Sequence, residues 1–218
     1  MSDERIAQLK ARLAKLKSEA QRREDYQAII RLQRAYGFYI DKGYWREASN
    51  LFTDDATFEQ GVDGVYLGRE RIHQAIVKLA DGNPGPGLPF GRLNEHFQLQ
   101  PVITIADDGQ SARGRWHELS MTGQYGEHAE WGEGVYENAY RKDAGVWKIA
   151  ALRFYPNFVA PYEGGWALLK PVEGDWRSPA LADLPPDRPP SETYRPFPHM
   201  FVPPFHYAHP VTGKAVAQ

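Results

Sequence analysis

Side chains that can transfer protons gather in one short segment of this sequence, residues 29–59. Its apolar helical face ends in a polar, aromatic-rich turn, and a second short helix and a strand are predicted after that turn. Tyr36, Asp41, Tyr44 and Trp45 therefore lie near one helix end. A phenol and a carboxylate in such a place can face a shared cavity and act on a ligand as acid and base.

Tyr36 and Asp41 also have plain structural interpretations. Tyr36 belongs to the apolar stripe, so it can be a core tyrosine whose hydroxyl bonds to the backbone. Asp41 can be a solvated residue, although a negative charge near a helix C-terminus is unfavourable. On a straight helix, with about 100° per residue, the two side chains would point about 140° apart. We therefore expect them to converge only if the helix loosens near Lys42 and Gly43.

The helices that must position these residues come first in the chain. An amphipathic run over residues 26–40 predicts the main core helix, and a further helix is predicted over 69–79. A short heptad stripe before them predicts an N-terminal helical arm that packs on its own core or pairs with other subunits. The stripe consists of Ile6, Leu9, Leu13 and Leu16.

Strands dominate the second half of the sequence. Turn signals at 107–109 and 143–145 indicate hairpins, which make neighbouring strands antiparallel. The predicted strands cover residues 56–59, 96–105, 112–121, 131–141 and 146–155. Helices followed by strands predict an α+β fold, in which a cone-shaped, curved antiparallel sheet wraps around the N-terminal helices.

The C-terminal region has a different composition. Eleven of the 17 prolines lie from Pro171 onward, and this excludes regular helices and sheet interiors. Aromatic residues such as Trp176 can anchor the region, unlike a disordered segment. We predict three parts, namely a helical arm over 1–23, a cone domain over 24–165 and an extended Pro-rich arm over 166–218.

The overall composition excludes several classes of function. A formal net charge of −2 offers no basic surface for nucleic acid or anionic lipid, and no apolar run is long enough to span a bilayer. We expect a cytoplasmic protein without nucleic-acid or membrane partners. The absence of cysteine excludes thiol nucleophiles and cysteine-held metals. The 7 histidines show no metal-binding spacing, and no phosphate loop is present, so we expect neither metal nor nucleotide cofactor.

Three stretches of the sequence have a recognisable pattern. They read RAYGFYIDKGYWREASNLFTDDATFE, GVYLGRERI and GEGVYENAYRKDAGVWKIAALRF. Together with the order of elements, they resemble the SnoaL-like branch of the nuclear transport factor 2-like superfamily over residues 24–155. In bile-acid dehydratase relatives, a helix Tyr, an Asp five residues later and a His at the head of a strand work together. By this resemblance the three roles fall on Tyr36, Asp41 and His96.

A further stretch, GRWHELSMTGQYGEHAEWGEG, and the long aromatic and proline tail are similar to sphingomonad-type lyases that process lignin-derived aromatic dimers. This resemblance implies loss of a benzylic hydroxyl, a quinone-methide intermediate and release of formaldehyde to leave a stilbene, with no cofactor. The hypothesis is a cofactor-independent lyase acting on a small hydroxylated aromatic compound. Two alternatives stay open, a simple dehydratase or isomerase, and a non-catalytic assembly protein like the small subunits of ring-hydroxylating dioxygenases.

Such a reaction needs one group that protonates the departing hydroxyl and another that accepts a proton. His96 can do either, with Asp41 fixing its tautomer and Tyr36 orienting or protonating the leaving oxygen. A solvated position at a strand start is the alternative interpretation of His96. The catalytic prediction is therefore Tyr36, Asp41 and His96.

Substrate binding is predicted to rest on aromatic stacking and a few polar groups. Alternation along 112–121 puts Arg115 and His117 on one face and Trp116 on the other, and only one face can line the cavity. Phe90 lies in the Gly- and Pro-rich loop 82–92, which is either a rim over a cavity or an ordinary surface connection. The predicted binding residues are Tyr44, Trp45, Phe90, Arg115, Trp116, His117, Glu133 and Tyr136. We also expect a homo-oligomer, either a dimer or a trimer.

Overall fold

Helix α1 is the longest element and runs without a break from Asp3 to Asp41. The computed structural model describes residues 3–216, so the outer two residues of each predicted arm lie outside the described residues. The two predicted helical runs are one helix, because the stretch EAQRREDY between them contains neither Gly nor Pro. Exposure changes close to the predicted boundary at residue 23, since residues 3–24 are exposed and Asp25 is buried. No helix within the described residues is long and apolar enough to cross a membrane.

The other elements largely follow the predicted order. They are α2 Trp45–Asn50, β1 Phe52–Gln60, β2 Val65–Leu67, α3 Arg69–Leu79, β3 Arg92–Ile105, β4 Ser111–Gln124, β5 His128–Asp143 and β6 Val146–Pro161. Strand β1 begins earlier than predicted, because Asp54 and Asp55 do not interrupt it. Their carboxylates are paired with Arg69 and Arg141 at the surface. Strand β2 lies between the first predicted strand and the predicted helix over 69–79, where no strand was predicted.

The six strands form one sheet in the order β2-β1-β6-β5-β4-β3. Neighbouring strands are antiparallel, as predicted, except that β1 runs parallel to β6. The parallel contact arises because the chain returns to the middle of the sheet after β5, placing β6 between the N-terminal β1 and its own hairpin partner. The predicted hairpin between β5 and β6 is confirmed, with Ala144 at φ 49° and Gly145 at φ 82°. The fold is α+β, as predicted.

The helices cover one face of the curved sheet and form the core with it. Helix α1 contributes Ile29, Gln33 and Tyr36, while α3 contributes Ile72 and Ile76. The facing strands contribute large side chains, namely Phe52, Phe58, Trp116, Tyr136, Tyr140, Ile149, Leu152 and Phe154. The cavity described below lies within this aromatic-rich layer.

The C-terminal arm wraps its own domain as an extended segment. Arg188 forms an isolated bridge with Val65, and the Tyr66 hydroxyl donates to the Leu184 carbonyl at 2.8 Å. Further along, Arg115 donates to the carbonyls of Pro203 and Pro204 at 2.6 and 3.1 Å. Prolines cannot donate backbone hydrogen bonds, so side chains of the domain hold much of the arm in place.

Candidate active site

A cavity of about 150 Å³ lies between α1, α3 and the covered face of the sheet. A volume of about 150 Å³ holds roughly one benzene ring. Most of its wall is apolar or aromatic, with a few polar groups. The lining residues are Tyr36, Ile40, Trp45, Phe58, Gln60, Ile76, Leu79, Ala80, Asn94, His96, Glu118, Tyr136 and Phe154.

One wall of this cavity carries a histidine held by a carboxylate. His96 Nδ1 lies 3.1 Å from Asp41 Oδ1, and the backbone N–H of His96 donates to the same oxygen at 2.7 Å. Asp41 is buried, while the His96 side chain keeps 20% of its surface exposed. With Nδ1 directed to the carboxylate, Nε2 is the nitrogen that can act on a ligand.

The three predicted catalytic residues meet in a way that differs from our expectation. Helix α1 stays helical to Asp41, so Tyr36 and Asp41 do not turn toward each other through a loosened last turn. Instead, Tyr36 lines the cavity directly, and Asp41 reaches it through His96. Gly37 permits this arrangement, because a Cβ there would lie 2.9 Å from Gln98 Cγ and 3.4 Å from the His96 carbonyl oxygen.

Another wall of the cavity carries a second buried carboxyl group, Glu118, which our sequence analysis assigned no role. It accepts a hydrogen bond from the hydroxyl of Tyr136 on the neighbouring strand. Both residues are buried, and both line the cavity. The alternation of β4 contains the signal that was missed, since Glu118 shares its face with the buried Trp116. Burying a glutamate on a core-facing side of a strand is costly unless its carboxyl group has a hydrogen-bond partner or a functional role.

The ionisable groups shift one another's proton affinities. Burial by itself would lower the pKa of His96, but the hydrogen bond to Asp41 and the charge of Glu118 outweigh it and raise this pKa. Burial raises the pKa of Glu118, opposed in part by the positive charge of His96. Burial, reinforced by the charge of Glu118, also raises the pKa values of Tyr36 and Tyr136. The site therefore holds a protonatable imidazole, a carboxyl group with increased basicity and two phenols that stay protonated.

A second cavity of about 220 Å³ adjoins the first one. The two share Trp45, Ala80 and Asn94 in their walls, and the Gly- and Pro-rich loop 82–92 forms part of the outer one. Trp45 Nε1 donates to the Asn83 carbonyl at 2.9 Å, which ties the indole to this loop. Together the two spaces lie within the range of about 300–1,000 Å³ that is typical of ligand sites.

The predicted binding residues divide into four groups. Trp45 and Tyr136 line the cavity. Trp116 is fully buried beside it and donates its indole N–H to the Tyr140 hydroxyl at 2.9 Å, so it supports the wall. Tyr44 and Phe90 are exposed, at 46% and 92%, and do not line the inner cavity.

Arg115, His117 and Glu133 lie on the opposite face of the sheet, so they do not reach this cavity. The cause is the two-residue period of β4 and β5, which sends neighbouring side chains to opposite faces. Arg115 is paired with Glu137, and His117 Nδ1 lies 3.1 Å from Glu133 Oε1. Our sequence analysis combined residues of both faces, since the sequence alone did not indicate which face the helices cover.

No group of three or more His, Asp or Glu side chains within residues 3–216 is arranged to hold a metal ion. The groups that can do chemistry here are the imidazole of His96, the carboxyl of Glu118 and the phenols of Tyr36 and Tyr136. They suit the transfer of protons to and from oxygen atoms of a bound ring compound.

The sequence matches the family model of the SnoaL-like domain over residues 21–153, which is more than half of the chain. The protein belongs to the SnoaL-like family. This confirms the family resemblance that the sequence indicated, whereas its subgroup resemblance to lignin-dimer lyases stays a prediction. No curated protein has a significant match to this SnoaL-like chain.

Solved structures share the fold of this SnoaL-like protein at low sequence identity. The hexachlorocyclohexane dehydrochlorinase LinA-type3 from Novosphingobium barchaimii LL02 is 19% identical with a TM-score of 0.58, covering 67% of this chain and 95% of its own. The structure of LinA is 20% identical with a TM-score of 0.57 and the same two coverages, 67% and 95%. Aln2 from a Streptomyces species is 14% identical with a TM-score of 0.52, covering 61% and 90%. At these identities the similarity establishes the fold.

Proposed function

We propose that this protein is a cofactor-independent lyase that removes a hydroxyl group from hydroxylated aromatic compounds by acid–base catalysis. The observation that supports it is His96, held by Asp41 at the wall of a ring-sized cavity that also contains Glu118 and Tyr136. Two similar structures are named dehydrochlorinases, and loss of hydrogen chloride is an elimination, like the loss of water proposed here.

The specific reaction that we propose acts on a phenolic diarylpropane diol, a compound class derived from lignin. In its first step, protonated His96 gives its proton to the benzylic hydroxyl, the C–O bond breaks and water leaves. Tyr36 donates a hydrogen bond to the leaving oxygen. The substrate's phenol loses its proton to Glu118, and the ring electrons form a quinone methide.

A second step then releases formaldehyde. Neutral His96 accepts the proton of the terminal hydroxymethyl group, and the bond between that carbon and the central carbon breaks. The electrons of this bond restore the aromatic ring, and the phenol regains its proton from Glu118. The diol has then become a stilbene, formaldehyde and water, and both side chains are back in their starting states. No oxidant or reductant is consumed.

A simple dehydratase or isomerase of a one-ring substrate is the second candidate. The volume of the inner cavity favours it, because about 150 Å³ accommodates one ring. In a dehydratase His96 would protonate the leaving hydroxyl and a carbon-bound proton would be removed in place of formaldehyde, whereas an isomerase would move a carbon-bound proton and no group would leave. The two candidates differ in mass balance, since dehydration keeps every carbon atom in the product.

The purified chain should be incubated with a phenolic diarylpropane diol while formaldehyde and ultraviolet-absorbing stilbene are measured. We expect equal amounts of both products, and His96→Asn should reduce turnover by about 100-fold or more. Asparagine can still donate to Asp41 but cannot titrate, so the fold should be kept. His199→Asn, an exposed histidine in the C-terminal arm, is the matched control. Undiminished turnover by His96→Asn would contradict the mechanism, and a product lighter by water alone would favour the dehydratase.

A further inference from the structure

We propose that a surface groove beside the active site binds an additional aryl group of the substrate, so that the enzyme accepts aromatic compounds longer than two rings. This inference rests on the proposed function and extends it to substrate length. The groove has a volume of about 810 Å³ and lies between the end of loop 82–92 and the turn that joins β4 to β5. None of the predicted catalytic residues lines it.

The groove adjoins the outer cavity, which in turn adjoins the catalytic cavity. The inner cavity shares Trp45, Ala80 and Asn94 with the outer one, and the outer cavity shares Arg92 and Gln124 with the groove. The proposed ligand follows this row of adjoining spaces from His96 past Trp45 to the surface. The inner cavity has room for about one ring, so a longer substrate must place its remainder along this path.

Two aromatic side chains that line the groove are largely exposed to solvent. Phe90 is 92% exposed and Tyr125 is 81% exposed. Their backbones are tied together, since the Tyr125 N–H donates to the Gly91 carbonyl at 2.8 Å and Gln124 Nε2 donates to the Phe90 carbonyl at 3.1 Å. Glycine is favoured at position 91, because its φ of 79° is a backbone conformation that other residues rarely adopt. Two exposed rings on a fixed backbone can stack on an aryl group without a large loss of backbone entropy.

The charges around the groove disfavour an anionic ligand. Its basic residue Arg92 is already paired with Asp81 at 2.8 Å. Glu127 and Glu163 also line the groove and would repel an anion. An aryl ether or a methoxylated ring carries no negative charge and can stack on the two exposed rings, so it is the class that we propose for this groove.

The test uses two probes that lack the leaving hydroxyl, para-hydroxybibenzyl and the same compound with a benzyloxy group on its far ring. Their affinities for the full-length protein should be measured by calorimetry. The double variant Phe90→Ser, Tyr125→Ser should bind the three-ring probe about 10-fold more weakly and the two-ring probe with unchanged affinity. Phe38→Ser, an exposed phenylalanine on α1, is the matched control and should change neither affinity.

Three results would overturn the proposal. They are an unchanged affinity of the double variant for the three-ring probe, an equal loss for both probes, and a lower assembly mass by light scattering, which would make the groove a subunit contact. The melting temperature of the variant should stay unchanged, since both side chains are exposed. Because the probes do not react, a failure of the groove is distinguishable from a failure of the reaction, which the turnover of His96→Asn tests separately.

Discussion

His96 shows how the local environment of one residue prepares it for proton transfer. Its imidazole is mostly buried, and burial alone would favour the neutral form. The hydrogen bond to Asp41 and the charge of Glu118 reverse this preference, so the pKa rises. An imidazolium that persists toward neutral pH is what an acid needs in order to protonate a departing hydroxyl.

The pH dependence of turnover should follow this raised pKa. Because the acid form of His96 is proposed to act first, kcat should fall as the pH rises through the pKa of the folded protein, above the ordinary value of 6.5. Burial lowers the pKa of His96, and the hydrogen bond to Asp41 is the main interaction that raises it. Asp41→Asn removes this carboxylate, so the fall in kcat should occur at lower pH. A pH–rate profile and an NMR titration of the imidazole would measure both values. An identical profile in Asp41→Asn would contradict the role of Asp41.

The free energy of unfolding should have a matching dependence on pH. A group whose pKa is higher in the folded protein stabilises it fully below the pKa of the unfolded state. The contribution of His96 should therefore be present below about 6.5 and be lost as the pH rises through the folded-state value. Urea denaturation across this range, with His96→Asn as reference, would detect the difference.

Contact between α1 and the sheet depends on a buried polar network centred on Gln33. Gln33 Oε1 accepts from the Tyr140 hydroxyl at 2.8 Å and from Asn138 Nδ2 at 3.0 Å. Its Nε2 donates to Gln98 Oε1 at 2.7 Å, and Gln98 Nε2 donates to the His96 carbonyl. The network thus links the helix to the strand segment that carries the imidazole.

Gln33→Leu should destabilise the protein by about 2–4 kcal/mol, because two buried donors lose their acceptor. We expect turnover to fall as well, since Gln98 and the strand around His96 lose their support. Gln8→Leu, the same substitution at an exposed position of α1, should change stability by less than about 0.5 kcal/mol. Chemical denaturation of both variants measures the difference, and equal stabilities would argue against the network.

Element types were largely predictable, and the boundaries of α3 were predicted correctly. The errors have physical reasons. Asp54 and Asp55 suggested a break, but a carboxylate at the surface can remain within a strand when an arginine pairs with it. The parallel pairing of β1 with β6 joins residues far apart in sequence, and no local turn signal specifies it.

At the scale of the whole molecule, the two faces of the sheet are covered by different parts of the chain. The helices and the cavity occupy one face. The C-terminal arm packs against α3 around Leu181 and then crosses the other face. Arg115 holds the arm by donating to two proline carbonyls, and its guanidinium lies 4.1 Å from the centre of the Phe205 ring. His206 adds a contact of 3.0 Å to Glu137 with its side chain almost fully buried.

Arg115→Met should release part of the arm, because Glu137 loses its guanidinium partner and keeps only His206, and two carbonyls lose their donor. Loss of one partner of a buried ion pair costs about 3–5 kcal/mol. Limited proteolysis should cut the arm faster, while kcat/KM should change by less than about threefold, since the cavity lies on the other face. Arg113→Met, on the same strand face but exposed, is the matched control. A large loss of kcat/KM with an intact arm would contradict this and indicate that Arg115 contributes to substrate binding.

Self-association is a second property at this scale, and we propose that the exposed part of α1 mediates it. Leu9, Leu13 and Leu16 are each more than half exposed there. An apolar stripe on a projecting helix is suited to pair with a second subunit. Light scattering should show a dimer or trimer, and Leu9→Glu with Leu13→Glu should lower the mass while Gln8→Glu does not. A wild-type monomer would contradict this proposal.

The sequence by itself determined the α+β order, because periodicity and turn residues are local properties of the chain, and its family resemblance pointed to Tyr36, Asp41 and His96, which meet at or beside the cavity. Only the tertiary structure decided that Asp41 contacts the cavity through His96, that Glu118 lines the cavity beside the predicted Tyr136, and that Arg115, His117 and Glu133 lie outside it. The physical reason is that alternation sorts strand residues into two faces without indicating which face the helices will cover. That choice is made by packing between segments far apart in the chain.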